Sequence, residues 1–240
     1  KKLREAGAVI LGKANMTEWA NFMTDKMPSG YSSRGGQVRN PYGPGVHDVG
    51  GSSSGSGAAV AAGLVSVSIG TETSGSILSP ACSNSVVGIK PTVGLVSRAG
   101  VIPISHVQDT PGPLARTVED AAIVLGAISG TDDKDAATYS SQGFCYGDYT
   151  KFLDKDGLKG ARIGLVKSCV ERLDGEHLSI FEGAIEAVKD AGALLVEVDL
   201  TTPKSWQSRS LIHEFKPAIN MYLASLSRTC SVHSLKELIE

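Results

Sequence analysis

The residues from Gly50 to Pro91, GGSSSGSGAAVAAGLVSVSIGTETSGSILSPACSNSVVGIKP, constrain the fold more than any other part of the chain. Between Val49 and Ile89 the only formally charged side chain is Glu72. A flexible Gly/Ser linker is poor in apolar residues. This stretch instead interleaves its hydroxyls with Ala58–Ala62, Leu64, Val65, Val67, Ile69, Ile77, Val86 and Val87. It reads as a buried core segment that carries many serines. Buried hydroxyls need hydrogen-bond partners, so this density implies a network, and a serine network in an uncharged core is a candidate active site.

The remaining composition narrows the class. At 240 residues the chain can bury a sizeable core, as one large or two small domains. Its apolar content of 41% and charged content of 20% are those of an ordinary globular protein. A net charge of −2 without a basic cluster argues against a nucleic-acid partner. No apolar run is long enough to span a bilayer and none reads as a signal peptide, so no membrane partner is expected. Cys82, Cys145, Cys169 and Cys230 form no CxxC or Cys/His pattern, and the expectation is four free thiols in the cytoplasm with no metal site. Lys1 to Gly7 reads as the last turns of a helix with Gly7 as its cap, and Glu240 falls within another helical pattern. The chain is therefore expected to be an internal fragment.

Local patterns predict an α/β fold. Ala8–Leu11 reads as a buried strand, and Met16–Phe22 as a short helix capped by Thr17. Residues 24–49 form a long Gly/Pro/Ser/Asn loop with a turn at Asn40–Gly43, placed to line a site. Gly57–Gly63 reads as a small-residue helix, Val65–Gly70 and Val86–Ile89 as strands. Thr117 opens a helix with capping-box spacing and an inward stripe of Val118, Ala121, Ala122, Leu125 and Ile128. Ala161–Lys167 and Leu194–Val198 flank a helix with Leu178, Phe181, Ile185 and Val188 on one face, which implies a parallel strand pair. Pro217 is expected at the first position of a helix that turns Ile219, Tyr222, Leu223 and Leu226 inward. No internal repeat is present.

Three motifs compete within the serine-rich stretch. Gly51-Ser52-Ser53-Ser54-Gly55 matches a G-x-S-x-G nucleophile elbow centred on Ser53, but a Gly/Pro-rich loop precedes it where a strand is required. His106, His177, His213 and His233 lack the context of a catalytic histidine and read as surface or satisfied core residues. Gly50 to Gly55 has the spacing of a phosphate loop, yet Ser56 occupies the position of the phosphate-binding lysine. Gly55-Ser56-Gly57 lacks the third glycine of a dinucleotide fingerprint.

The third pattern fits the whole stretch. The blocks Gly50–Gly57 (GGSSSGSG), Gly70–Ile77 (GTETSGSI) and Gly88–Thr92 (GIKPT) resemble the signature of the amidase signature family. The resemblance extends upstream to Leu3–Ala8 (LREAGA) and Gly12–Met16 (GKANM). Downstream it runs through Gly94–Arg98 (GLVSR) and Asp109–Pro113 (DTPGP) to Ala115–Ala121 (ARTVEDA). It is strong over about residues 1–130 and implies one partial amidase signature domain across 1–240, with a mixed β-sheet flanked by helices on both faces.

What the resemblance implies for chemistry is a Ser–cis-Ser–Lys triad. The nucleophile falls on Ser76, and the bridging serine, with a cis peptide bond in the family, on Ser52. The backbone N–H groups of Thr73, Ser74, Gly75 and Ser76 fall at the oxyanion hole. A serine hydroxyl attacks an amide only when a base takes its proton, and a desolvated neutral lysine can do so. By the resemblance that lysine lies upstream of Lys1, outside the chain, since Lys13 and Lys90 belong to other blocks. The 240-residue chain alone is accordingly expected to be nearly inert. Leu78 stands where most members carry Arg.

Thr92–Ser97 and Asp109–Pro113 look most like the bacterial peptide-amidase branch, which implies a small-molecule or peptide amide substrate, no cofactor and a C-terminal peptide amide as the bond cut. A homo-oligomer is compatible with this reading. Two alternatives stand beside it. One is the glutaminase subunit of a tRNA-dependent amidotransferase, against which Glu72 and Leu78 argue, and the other a non-catalytic module that keeps the fold.

Overall fold

The computed structural model describes residues 1–24, 26–200 and 210–240. They fall into two compact units, one of Lys1–Thr150 with Ser210–Glu240 and one of Lys151–Arg209.

In chain order the first unit contains α1 (Lys2–Glu5), a short hairpin of β1 (Tyr31–Ser32) and β2 (Gly36–Gln37), α2 (Ser54–Ala61), β3 (Val67–Glu72), α3 (Leu78–Ser83), β4 (Val87–Gly88), β5 (Thr110–Ala115) and α4 (Val118–Ile128). The second unit contains β6 (Arg162–Val166), α5 (Lys167–Val170), α6 (Gly175–Asp190) and β7 (Leu194–Val198). The chain then returns to the first unit as α7 (Ser210–Ala224) and α8 (Leu235–Ile239). The fold is α/β, with helices packed on strands that pair in both senses: β3–β5–β4 is antiparallel and β6–β7 parallel.

Alternation along β3 separates two faces of the central sheet. Val67 and Ile69 pack with Val124, Leu125 and Ile128 of α4. The opposite face carries Leu114, packed with Ile77 and Ala81 beside α3. Leu114 and Ile77 are fully buried, and burial of each stabilises the fold by roughly 2 kcal/mol.

All six residues of β5, TPGPLA, are buried, and the strand lies between β3 and β4 despite Pro111 and Pro113. Proline removes a ladder donor and is normally confined to sheet edges. Here the carbonyl of Pro113 accepts from Ile89 N–H at 3.0 Å, so residues 111 and 113 direct their backbone groups to the β4 side. β4 has already ended at Gly88, and the two missing N–H groups face no strand.

Several elements differ from the sequence reading. Ala8–Leu11 forms no strand: Val9 is 82% and Leu11 72% exposed, and no described strand pairs with the run. The helix expected over Met16–Phe22 shortens to a single 3-10 turn, Glu18–Asn21, in which Trp19, Ala20 and Asn21 take left-handed φ values of 50°, 53° and 65°. Thr17 does not cap it, since its hydroxyl accepts from Gly30 N–H at 2.7 Å and bonds Ser54 Oγ at 3.2 Å. Helix α2 starts at Ser54 rather than Gly57, and β3 runs two residues further than expected, to Glu72. The strand expected over Val86–Ile89 shortens to β4. On α4, Val118 is exposed and Val124 takes its inward place, whereas Thr117 caps as expected, accepting from Asp120 N–H at 3.0 Å. Pro217 lies inside α7 (Ser210–Ala224) and not at its first position; Ile219 and Leu223 are nevertheless buried.

In the second unit, β6 and β7 pair in parallel from Arg162↔Leu194 to Val166↔Val198, around the helix expected between them. Leu178, Phe181, Ile185 and Val188 are its half-buried positions. Among the described residues no helix is long and apolar enough to cross a membrane.

Candidate active site

The serine-rich stretch folds as a loop, α2, β3 and a tight turn that closes back on the start of α2. Gly50 enters it with φ +66°, and a Cβ there would lie 2.8 Å from the Pro80 backbone, so only glycine fits. The Gly51–Ser52 peptide bond is cis. Thr17 N–H donates to the Ser52 carbonyl at 2.9 Å.

The hydroxyls on α2 are satisfied locally. Ser53 Oγ donates to the Thr71 carbonyl and accepts from Thr71 N–H, both at 3.0 Å, which joins the start of α2 to β3. Ser54 Oγ donates to the Gly50 carbonyl at 2.6 Å, and Ser56 Oγ to the Ile69 carbonyl at 2.8 Å. The expected network is therefore real, and most of it is scaffold. Ser52 is different: its side chain is fully buried and its hydroxyl has no partner among the described residues. An unpaired buried hydroxyl is costly, and a catalytic role is one reason for a fold to keep it.

The turn that carries Ser76 is held from three sides. Ser53 N–H donates to the Ser76 carbonyl at 3.1 Å. Glu72, buried, accepts on one carboxylate oxygen from Ile77 N–H at 2.8 Å and Leu78 N–H at 3.0 Å. The buried stretch is thus not free of charge, and its single carboxylate closes the turn just after Ser76. Thr73 Oγ1 donates to Asp109 Oδ1 at 2.5 Å, while Asp109 Oδ2 accepts from Ile104 N–H at 2.8 Å and Ser105 N–H at 2.9 Å.

Between these anchors the backbone N–H groups of Thr73, Ser74, Gly75 and Ser76 donate to no acceptor among the described residues. Gly75 sits at φ +80°, and a Cβ there would meet nothing within 4 Å. The turn at Gly75 therefore borders open space. Backbone N–H groups left unpaired on a turn can donate to a ligand oxygen.

The structure brings Ser52, Ser53 and the Ser76 turn together, and leaves the other candidates apart. Lys13 and Lys90 are exposed, without the desolvation a lysine base requires, and Lys90 Nζ donates to the Pro91 carbonyl at 3.3 Å. Leu78 is 48% exposed at the first position of α3. Cys82, Cys145, Cys169 and Cys230 are free thiols. Among the described residues no group of three or more His, Cys, Asp or Glu side chains is arranged to hold a metal ion.

Sequence reasoning missed the partners of the turn. Glu72 stood out as the lone charge, but its acceptor role depends on the turn being folded. Asp109 and Thr73 lie 36 positions apart and carry no shared local signal. A second pair was also unforeseen: Arg98 N–H and Nε donate to Asp135 Oδ2 at 2.8 Å each, and Nη2 to Oδ1 at 2.6 Å. The Arg98 guanidinium holds the Asp135 carboxyl down at about 2, and Asp135 in turn raises the guanidinium.

Comparison with known proteins identifies the family. The family profile described as Amidase matches residues 1–238. A probable amidase of Arabidopsis thaliana is 47% identical over 249 residues, covering all of this chain and 46% of its own length. The native peptide amidase of Stenotrophomonas maltophilia superposes with a TM-score of 0.92 at 50% identity, over 99% of this chain and 49% of that one. A glutamyl-tRNA(Gln) amidotransferase subunit of Thermotoga maritima is more distant, with a TM-score of 0.71 at 31% identity over 95% of this chain and 48% of that one. The chain thus spans about half the length of the relatives it matches. With a family match over nearly its whole length and a peptide-amidase-like fold, the chain belongs to the amidase signature family.

Proposed function

We propose that these residues supply the nucleophile and oxyanion elements of an amidase that hydrolyses a carbon–nitrogen amide bond through an acyl-enzyme. Ser76 Oγ attacks the amide carbonyl and passes its proton to Ser52 Oγ, which gives its own to a neutral lysine contributed from outside residues 1–240. The oxyanion forms against the N–H groups of Thr73 to Ser76. As the C–N bond breaks, the relayed proton returns to the leaving nitrogen, releasing ammonia or an amine. Water then attacks the Ser76 ester, losing its proton along the same path, and frees the acid and Ser76.

The observation that carries this reading is the pairing of opposites within one stretch. The hydroxyls of Ser53, Ser54 and Ser56 are all bonded, while the fully buried Ser52 hydroxyl and the N–H groups of Thr73 to Ser76 have no partner among the described residues. The similarity to a peptide amidase favours a peptide C-terminal amide as the bond cut. A glutaminase role in an amidotransferase is the second reading, favoured by the similarity to the Thermotoga maritima protein.

The test is ammonia release by the protein from the complete reading frame, offered amidated peptides, simple amides and glutamine. Release from peptide or simple amides that disappears in Ser76→Ala and falls in Ser52→Ala supports the proposal. Turnover of glutamine alone supports the second reading, and undiminished turnover by Ser76→Ala contradicts both.

A further inference from the structure

A cavity of about 340 Å³ opens against the nucleophile turn, and what lines it bears on which amide the site takes. One wall is Glu72 and Thr73, the residues that lead into the turn. The rest of the lining is mostly apolar, with two aromatic rings, Trp19 and Phe215, beside Ile102 and Ile104. Trp19 and Phe22 both pack edge-on against Phe215, with ring centroids 6.5 Å and 4.8 Å from it.

The backbone that presents Trp19 is unusual. Trp19, Ala20 and Asn21 are consecutive left-handed residues, none of them glycine. Such conformations persist only where surrounding contacts enforce them, and they gather at ligand sites. The enforcing contacts are visible. Thr17 N–H is bonded to the Ser52 carbonyl, and the Glu18 carboxylate accepts from Ser33 N–H at 2.8 Å and Ser33 Oγ at 2.7 Å. Those bonds hold Glu18 below the ordinary carboxylate range. Trp19 is therefore fixed two residues from an anchor on Ser52, and it lines the same cavity as Thr73, three residues before Ser76.

The polar groups in the lining are already engaged. Asp109 is bonded by Thr73, Ile104 and Ser105, and Glu72 by Ile77 and Leu78. Among the described residues the lining contains no Lys, Arg or His to pair with a substrate carboxylate. A cavity of this kind takes an uncharged apolar or aromatic group and disfavours the α-carboxylate of a free amino acid such as glutamine.

Resting on the amidase reading above, we infer that the Trp19–Phe215 cavity is the specificity pocket of the site and receives an uncharged aromatic or branched apolar group next to the scissile amide. Trp19 is its specificity-determining residue, and Ile102 forms its solvent-side rim, being 53% exposed.

The test compares 2-phenylacetamide with acetamide on the protein from the complete reading frame, with Trp19→Ala and Ile102→Trp as variants. The first removes the aromatic wall; the second fills the cavity from an exposed position and does not depend on the left-handed turn. Both are expected to lower the ratio of kcat/KM for 2-phenylacetamide over acetamide by about tenfold or more, the scale on which apolar pockets discriminate. Binding of 2-phenylacetamide to the Ser76→Ala protein, followed by calorimetry, is expected to weaken with the same two substitutions. Weakened binding in a protein that turns over no amide keeps the pocket and removes the amidase reading. A ratio and a binding constant that neither substitution moves overturn the pocket itself.

Discussion

Ser53 donates its backbone N–H to the carbonyl oxygen of Ser76 at 3.1 Å, while its hydroxyl both donates to and accepts from the Thr71 backbone. One residue thus ties the start of α2 to the end of β3 and to the turn that carries the proposed nucleophile. The backbone bond does not depend on the side chain, whereas the two hydroxyl bonds do.

Ser53→Ala is therefore expected to separate stability from chemistry. It leaves the Thr71 N–H and carbonyl without the Ser53 hydroxyl, which costs about 2 kcal/mol. Thermal unfolding should show a lowered midpoint, while amide turnover below that midpoint stays far above that of Ser76→Ala. Loss of turnover as complete as in Ser76→Ala, in a folded protein, would instead make Ser53 part of the relay.

Glu72 closes the same turn from the other side. Glu72→Ala leaves the Ile77 and Leu78 N–H groups unpaired at the start of α3, and a loss of about 3 kcal/mol follows from two charge-assisted bonds. Glu72→Gln keeps an acceptor oxygen and is expected to recover more than half of it. Denaturant titration of the two variants measures the difference; equal losses would mean that the carboxylate acts through its charge and not through those two bonds.

Gly50 is placed where a side chain cannot be. Gly50→Ala combines φ +66° with a Cβ 2.8 Å from the Pro80 backbone, so the loop before Ser52 must shift. The expected cost exceeds about 1 kcal/mol, with a matching drop in amide turnover. Unchanged stability and rate would show that this loop is not held as described.

Acid dependence follows from Asp135. Its carboxyl is lowered from 3.8 to about 2 by the Arg98 hydrogen bonds, so the stabilisation is fully present above about pH 4 and is lost as pH falls through about 2. Near neutrality Asp135→Asn is expected to cost about 3 kcal/mol, because Arg98 keeps a mostly buried charge without its partner. The gap between wild type and variant should shrink from pH 5 towards pH 2. A gap that does not change over that interval would contradict the pairing.

The parts legible in sequence were those governed by local pattern. Leu194–Val198 has the bounds read from its apolar run, and Thr117 caps α4 because its spacing to Asp120 is a local property. The central strand was not legible as a strand. Thr110–Ala115 carries two prolines and becomes a buried strand only because β4 stops short of them. The left-handed turn at Trp19 leaves no trace in composition, since it is imposed by Thr17 and Glu18 bonding to Ser52 and Ser33, residues far along the chain. Ala8–Leu11 shows the converse: an apolar run reads as buried, yet no described strand covers it. For the candidate site, Ser52 and Ser76 stood within a recognisable serine pattern. Glu72, Thr73 and Asp109 became meaningful only once the turn was folded.

The central claim is a covalent intermediate on Ser76. The most direct measurement is mass spectrometry of the protein from the complete reading frame, acid-quenched during turnover of 2-phenylacetamide. The account predicts an added phenylacetyl group on the peptide that contains Ser76, and none in Ser76→Ala. Steady ammonia release with no acyl group on that peptide, persisting in Ser76→Ala, would contradict it.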